Sequence, residues 1–185
     1  MCGRINLRTS PVELAEFFEL FREPDWSPRY NLGPMQPILV VRLKSGGVRL
    51  AEPLKWGLVS SWAKVSSIGS KMNNARSEQI TEKPTFRIPF RQRRCLIPAS
   101  GFYEWQQIGG KTKQPWHIFR ADGLPLVFAG LWDQWQAPDG SVSETCAIIT
   151  TQANTFMSEI HTRMPVILSK ESSKKDAVCT LHPSP

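Results

Sequence analysis

Gly101-Phe102-Tyr103-Glu104-Trp105-Gln106-Gln107 is followed by Gly109-Gly110, then by Trp116-His117-Ile118-Phe119-Arg120 and Asp122-Gly123, and then by Leu126-Val127-Phe128-Ala129-Gly130-Leu131. Runs rich in β-branched and aromatic residues alternate here with glycine turns, and Pro138-Asp139-Gly140 and Val142 to Thr150 extend the pattern. The gaps are too short for crossover helices, so they predict antiparallel hairpins rather than βαβ units. Upstream, Ile38 to Leu43, Ser45-Gly46-Gly47 and Val48 to Glu52 read as another hairpin, with a further strand near Leu54 to Val59. Two helices flank these strands. Ser10-Pro11-Val12-Glu13 is a capping box with proline at the first helical position, and the apolar face from Val12 to Phe21 predicts a helix over Pro11 to Phe21. A second helix is expected to start at Asn154. Between Pro24 and Pro37, four prolines predict an extended, turn-rich passage around Tyr30-Asn31. The expected fold class is α+β: one β-rich domain of antiparallel sheets with a few helices over residues 1–168, then a divergent polar tail over 169–185.

The chain has 185 residues, 41% of them hydrophobic, long enough for one core without covalent staples. No stretch approaches the roughly 20 apolar residues of a membrane helix, and the N-terminus lacks the layout of a signal peptide. The expected location is the cytoplasm, with nucleoid association when DNA is bound. Cysteines 2, 95, 146 and 179 are far apart and form no metal-ligand spacing, so reduced thiols are expected, with no metal and no cofactor. A monomer is the expected state. The formal charge of +7 favours an acidic partner, although many basic proteins bind no nucleic acid.

Cys2 carries chemistry that no internal cysteine has. Initiator methionine is normally trimmed before a small residue, which would put a free α-amine of pKa about 7.7–8.0 and a thiol of about 8.5 on one carbon. That aminothiol could condense with an aldehyde and close a thiazolidine, or act as an N-terminal nucleophile in hydrolysis; alternatively Cys2 is only the small residue that permits trimming. With Met1 retained, the acylated nitrogen cannot form an imine.

Three further segments carry polar groups with chemical potential. In Met72-Asn73-Asn74-Ala75-Arg76-Ser77-Glu78, Asn74 could orient a nucleophile and Arg76 could fork onto a phosphate, or the asparagines could cap a helix. Strand alternation puts Glu104 on the face of Phe102, opposite Tyr103 and Trp105, in surroundings suited to proton transfer or else on a half-exposed sheet. In Ile160-His161-Thr162-Arg163-Met164-Pro165, the proline stops a helix and leaves His161 and Arg163 at a junction, where His161 could serve as a helix cap or as a proton donor and acceptor.

Met1-Cys2-Gly3-Arg4, Asn74 to Glu78, Gly101 to Trp105 and His161 to Pro165, with Tyr30-Asn31, Trp56-Gly57-Leu58 and Arg94-Cys95-Leu96-Ile97-Pro98, together resemble the SOS response-associated peptidase family, the abasic-site processing proteins. The likeness covers residues 1 to about 168. It implies a compact β-rich fold that recognises abasic sites in single-stranded DNA and joins them covalently to Cys2 as a thiazolidine. By motif it implies Cys2 as the reacting residue, Asn74 as its orienter, Glu104 as a proton-transfer or electrostatic group, and His161 as an acid/base group that also assists reversal. Arg4, Arg76 and Arg163 would hold phosphates and Trp62 would stack on a base, while Trp56, Trp105, Trp116, Trp132 and Trp135 are expected in the core. An autopeptidase activity, of hydrolase or lyase type, is also implied. The family's chains usually continue further, and here Ser169 onward diverges. A thiol peptidase acting through Cys2 and a noncovalent single-stranded DNA-binding module are the alternatives; peptidase chemistry needs a base at the sulfur and an oxyanion hole, which the sequence does not demonstrate, although Cys2, Asn74, Glu104 and His161 fit peptidase and aldehyde chemistry alike.

Overall fold

The computed structural model describes residues 2–169. Its elements are β1 (Arg4–Leu7), α1 (Pro11–Phe18), β2 (Arg29–Leu32), β3 (Pro37–Leu43), β4 (Arg49–Trp56), β5 (Asn74–Arg76), α2 (Pro84–Gln92), β6 (Arg94–Ala99), β7 (Gly101–Gly109), β8 (Thr112–Ile118), β9 (Leu126–Gln136), β10 (Val142–Gln152), α3 (Thr155–Ser158) and β11 (Arg163–Pro165). The α+β reading holds. The expected tail from residue 170 onward lies outside the described residues, and no helix among those described is long and apolar enough to cross a membrane.

Two sheets organise the chain. The larger runs β11-β10-β4-β3-β6-β9, and an additional β9–β10 pairing closes β10, β4, β3, β6 and β9 into a ring. Alternation then sends one set of side chains inward. Ile38, Val40, Leu54, Trp56, Ile97, Phe128, Cys146 and Ile148 form the interior cluster. The other set faces outward and is covered as well: Leu39, Val41, Leu96 and Val127 lie under Leu14 and Phe18 of α1, and Leu131, Ala147 and Ile149 pack with Phe86 of α2. Burial on both sides explains why Ile38-Leu39-Val40-Val41 and Cys95-Leu96-Ile97 are continuous apolar runs rather than alternating ones. The smaller sheet, β2-β1-β7-β8, contributes Ile5, Leu32 and Phe102 to the interior cluster, with Phe102 edge-on to Phe128 at 5.8 Å.

Several expectations are corrected. The first helix ends at Phe18, because Glu19 turns left-handed at φ 53° and returns its N–H to the carbonyls of Ala15 and Glu16. The capping box at Ser10 and Glu13 forms as read. Leu54 begins no separate strand: β4 runs unbroken through Pro53, which sits opposite Leu39, and β10 pairs with β4 only at Lys55 and Trp56, so the missing proline N–H leaves no ladder bond unmade there. Pairing is antiparallel except that β4 and β5 run parallel to β10. β8 begins at Thr112, before Trp116, and β9 runs on to Gln136. α2 is not among the helices expected from the sequence: Pro84 opens it and Pro89 lies within it, in a segment with too many prolines to read as a helix. Asn74 caps no helix but begins β5. Of the tryptophans expected in the core, Trp56 and Trp135 are buried and Trp132 partly so, but Trp105 is 40% and Trp116 46% exposed, because both belong to the outlying β7–β8 hairpin.

Candidate functional site

Cys2 lies just before β1, wholly buried at the junction of the two sheets in the cluster that holds Phe102, Trp56 and Met157. Three structural contributions surround it. Arg4 of β1 stands against Tyr103 of β7, a register that runs the Cys2-Gly3 end of the chain alongside Glu104. Glu104 is 3% exposed and its charge reaches the thiol: burial first, and then the Glu104 carboxylate, push the Cys2 thiol well up from its ordinary value. Alternation along β7 is as expected, with Phe102 and Glu104 buried, Tyr103 half-buried and Trp105 exposed.

Asn74 completes the grip on Cys2. Its side-chain amide donates to the Cys2 carbonyl at 2.8 Å, while its buried Oδ1 has no hydrogen-bond partner among the described residues. β5 holds this asparagine in place, Asn74 standing against Ile148 of β10, and both the Trp56 indole N–H and the Ile148 N–H donate to the carbonyl of Asn73, at 2.8 and 3.0 Å. The role of Trp56 was not legible beforehand, since a buried tryptophan reads as core.

His161 follows α3, which is capped by the Asn154 side chain accepting from the Met157 N–H and lasts four residues. The expected junction is present, with β11 starting at Arg163. Arg163 N–H donates to His161 Nδ1 at 2.9 Å, and the Arg163 carbonyl lies 3.2 Å from the same nitrogen. The tautomer protonated at Nε2 accepts from that N–H at Nδ1, and the tautomer protonated at Nδ1 donates to that carbonyl, so Nδ1 finds a partner on Arg163 in either tautomer. Met157, which packs in the cluster of Cys2, receives the His161 N–H at 2.9 Å.

The expected DNA-contacting residues fall in different settings. Arg76 is exposed at the end of β5, next to the asparagine that holds Cys2. Arg4 donates to Asn31 Oδ1 at 3.0 Å and borders a cavity of about 440 Å³ with Tyr30, Asn31, Tyr103 and Trp105, so the Tyr30-Asn31 passage reaches the same sheet face. The side chain of Arg163 is only 15% exposed and engages both Glu78 oxygens, at 2.8 and 3.1 Å, together with the Thr150 carbonyl at 2.8 Å. Its hydrogen bonds hold the Glu78 carboxyl below the usual range, and a phosphate on Arg163 would have to displace that carboxylate. Trp62 is 58% exposed, but its neighbours are anchored elsewhere, Ser61 N–H on Asp133 and Ala63 carbonyl under the Trp135 indole. Those anchors stand against Thr145 and Ser143 of β10, about 10–17 Å along that strand from Ile148, the partner of Asn74. The structure thus gathers Cys2, Asn74 and Glu104, moors the His161 turn beside them, and leaves Trp62 apart. Among the described residues there is no cluster of His, Cys, Asp or Glu able to hold a metal ion.

The profile of the SOS response associated peptidase (SRAP) family matches residues 1–176. The abasic site processing protein YoaM of Bacillus subtilis (strain 168) is 43% identical over 178 residues, covering 95% of this chain and 78% of its own. The abasic site processing protein HMCES of Mus musculus is 34% identical over 190 residues, covering 83% of this chain and 54% of its own. A crystal structure of a protein from Bacteroides thetaiotaomicron superposes with a TM-score of 0.88 at 26% identity, covering 98% of this chain and 83% of that one. A second, from Bordetella bronchiseptica, gives 0.84 at 26% identity over 100% of this chain and 95% of its own.

Proposed function

This chain belongs to the SOS response associated peptidase family, and from that premise we propose that it recognises abasic sites in single-stranded DNA and, once Met1 is removed, joins them covalently to Cys2 as a monomer. The observation that carries the reading is the grip on Cys2: its carbonyl held by the Asn74 amide at 2.8 Å, with the Glu104 carboxylate acting on its thiol. An abasic deoxyribose opens to an aldehyde. The Cys2 amine adds to that carbon and water leaves, giving an imine; the sulfur then adds to the same carbon, its proton passes to a base, and the nitrogen regains a proton as the thiazolidine closes.

The electrostatics favour this order. A thiol pushed up by burial and by Glu104 stays protonated near neutrality, so the amine is the first nucleophile. When the imine protonates, Glu104 stabilises the cation, and the new positive charge beside the sulfur lowers the cost of ionising it. His161 then serves the reverse direction, its Nδ1 tied to the Arg163 backbone and the proton given and taken back at Nε2. A thiol peptidase ranks second for the same reason, because peptide attack needs a thiolate with a lowered pKa.

Intact mass of the Met1-free protein, before and after incubation with an abasic single strand, is the test. A stable adduct requires the aldehyde, and Cys2→Ala yields at most a reversible imine. A Cys2→Ala adduct as durable as the wild-type one would refute the role given to sulfur, and absence of any wild-type adduct would refute the reading as a whole.

A further inference from the structure

The β7–β8 hairpin does more than supply Glu104. Trp116 stands directly across the ladder from Glu104, where side chains of one face lie about 4.5–5.5 Å apart at Cβ. Glu104 is 3% exposed although it lies beyond the Phe102–Ile118 pair that closes the core, and the Trp116 ring is the group across the ladder beside it. That ring is not free to swing. Its indole N–H donates to Gln106 Oε1 at 2.9 Å, and the Gln106 amide donates in turn to the carbonyl of Glu159 at 2.7 Å. Glu159 is the C-cap of α3, two residues before His161.

A bond from Gln106 to Glu159 therefore spans from the hairpin to the turn that presents His161. α3 has only four residues and cannot hold that turn by helical hydrogen bonding alone. Gln106 shares the face of Glu104, two positions along the strand, so the same strand that sets the carboxylate also sets the imidazole.

We propose that Trp116 and Gln106 are positioning residues, a latch of two hydrogen bonds that holds the His161 turn against the β7–β8 hairpin and fixes the imidazole relative to Glu104. The consequence for catalysis rests on the function proposed above; the mechanical claim does not.

Gln106→Glu and Gln106→Ala separate the latch from simple packing. Glutamate still accepts from the Trp116 indole but cannot donate to the Glu159 carbonyl, and alanine does neither. Amide hydrogen exchange is followed at His161, whose N–H goes to the Met157 carbonyl, at Arg163, whose N–H goes to His161 Nδ1, and at Ile148 as a core reference. Both variants are expected to exchange about three- to tenfold faster at His161 and Arg163, with Ile148 unchanged. Trp116→Phe, which keeps an aromatic side chain but removes the indole N–H together with part of the ring, leaves the Gln106–Glu159 bond in place and gives a smaller increase. Release of the abasic DNA adduct is then followed over a pH series, and its midpoint is expected to shift in both Gln106 variants. Wild-type exchange at His161 and Arg163 in both variants overturns the latch; so does acceleration in Gln106→Ala alone, because the Glu159 bond would then carry nothing. Faster exchange with an unchanged pH midpoint overturns the positioning role. If the wild-type protein forms no adduct, the proposed function fails, and the exchange comparison still decides whether the latch holds the turn.

Discussion

Alkaline pH acts on the core through its buried thiols. Cys2 and Cys146 are 0% exposed and Cys95 5%. Burial pushes all three thiols up from their ordinary value, with Glu104 adding to the effect at Cys2 and Cys95 adding to it at Cys146, while the Arg42 charge opposes it at Cys95 and Cys146. The sign follows from proton counting. Above about pH 9 the unfolded chain has released these protons and the folded chain still binds them, so unfolding gains with each further unit of pH. The stability is fully present below pH 9 and is lost as the pH rises towards the folded values. Each thiol contributes a slope of about 1.4 kcal/mol per pH unit, and three give about 4 kcal/mol per unit. Against a total of about 5–15 kcal/mol for a domain, one unit is a large loss. Guanidinium chloride unfolding between pH 7.5 and pH 10, in reductant and at constant ionic strength, measures it. Cys146→Ala and Cys95→Ala should each shift the midpoint at every pH by their cavity cost and reduce the alkaline slope by about one third. A wild-type slope of about 1.4 kcal/mol per unit or less, or an unchanged slope in both variants, would refute the reasoning.

Glu104→Ala should slow adduct formation by about 10²-fold or more, whereas His161→Ala should still form adduct and release it more slowly; gels that follow the two directions separately over a pH series check this, and a His161→Ala protein unable to form adduct reverses the assignment. Arg76→Ala should weaken binding to abasic single strands irrespective of sequence and reduce the salt slope by about 1. Arg163→Ala should instead cost about 1–2 kcal/mol of stability, because the Thr150 carbonyl and Glu78 lose a charged donor; a changed salt slope at wild-type stability would return Arg163 to the phosphate role. In Gly101→Ala a new Cβ would collide with His117 Nε2 and lie 2.8 Å from the Ile118 carbonyl, against backbone as well as side chain. The hairpin must shift, at a cost of about 1–3 kcal/mol read from the unfolding midpoint, and unaltered stability would show that β8 is looser than its ladder implies.

What the chain determined by itself is local or covalent. The capping box at Ser10, the turn glycines between strands, the alternation that buries Glu104 with Phe102, and the proline that ends the turn after His161 all act within a few residues, where propensity and period suffice. The aminothiol chemistry proposed for Cys2 depends only on its place beside Met1. The ring of strands was not legible, because β10 takes β4 and β5 in parallel and β9 in antiparallel fashion, pairings between segments up to about a hundred residues apart that no local pattern encodes. Nor were the partners of polar side chains. Arg163 reads as a phosphate ligand, and nothing local says that Glu78 and Thr150 engage it; Trp116 reads as core until the hairpin carries it outward, and Gln106 carries no signal at all until Glu159 arrives beside it. Residue type sets which bonds a side chain can make; only the tertiary fold, by bringing distant segments within about 3 Å, decides which of them it makes.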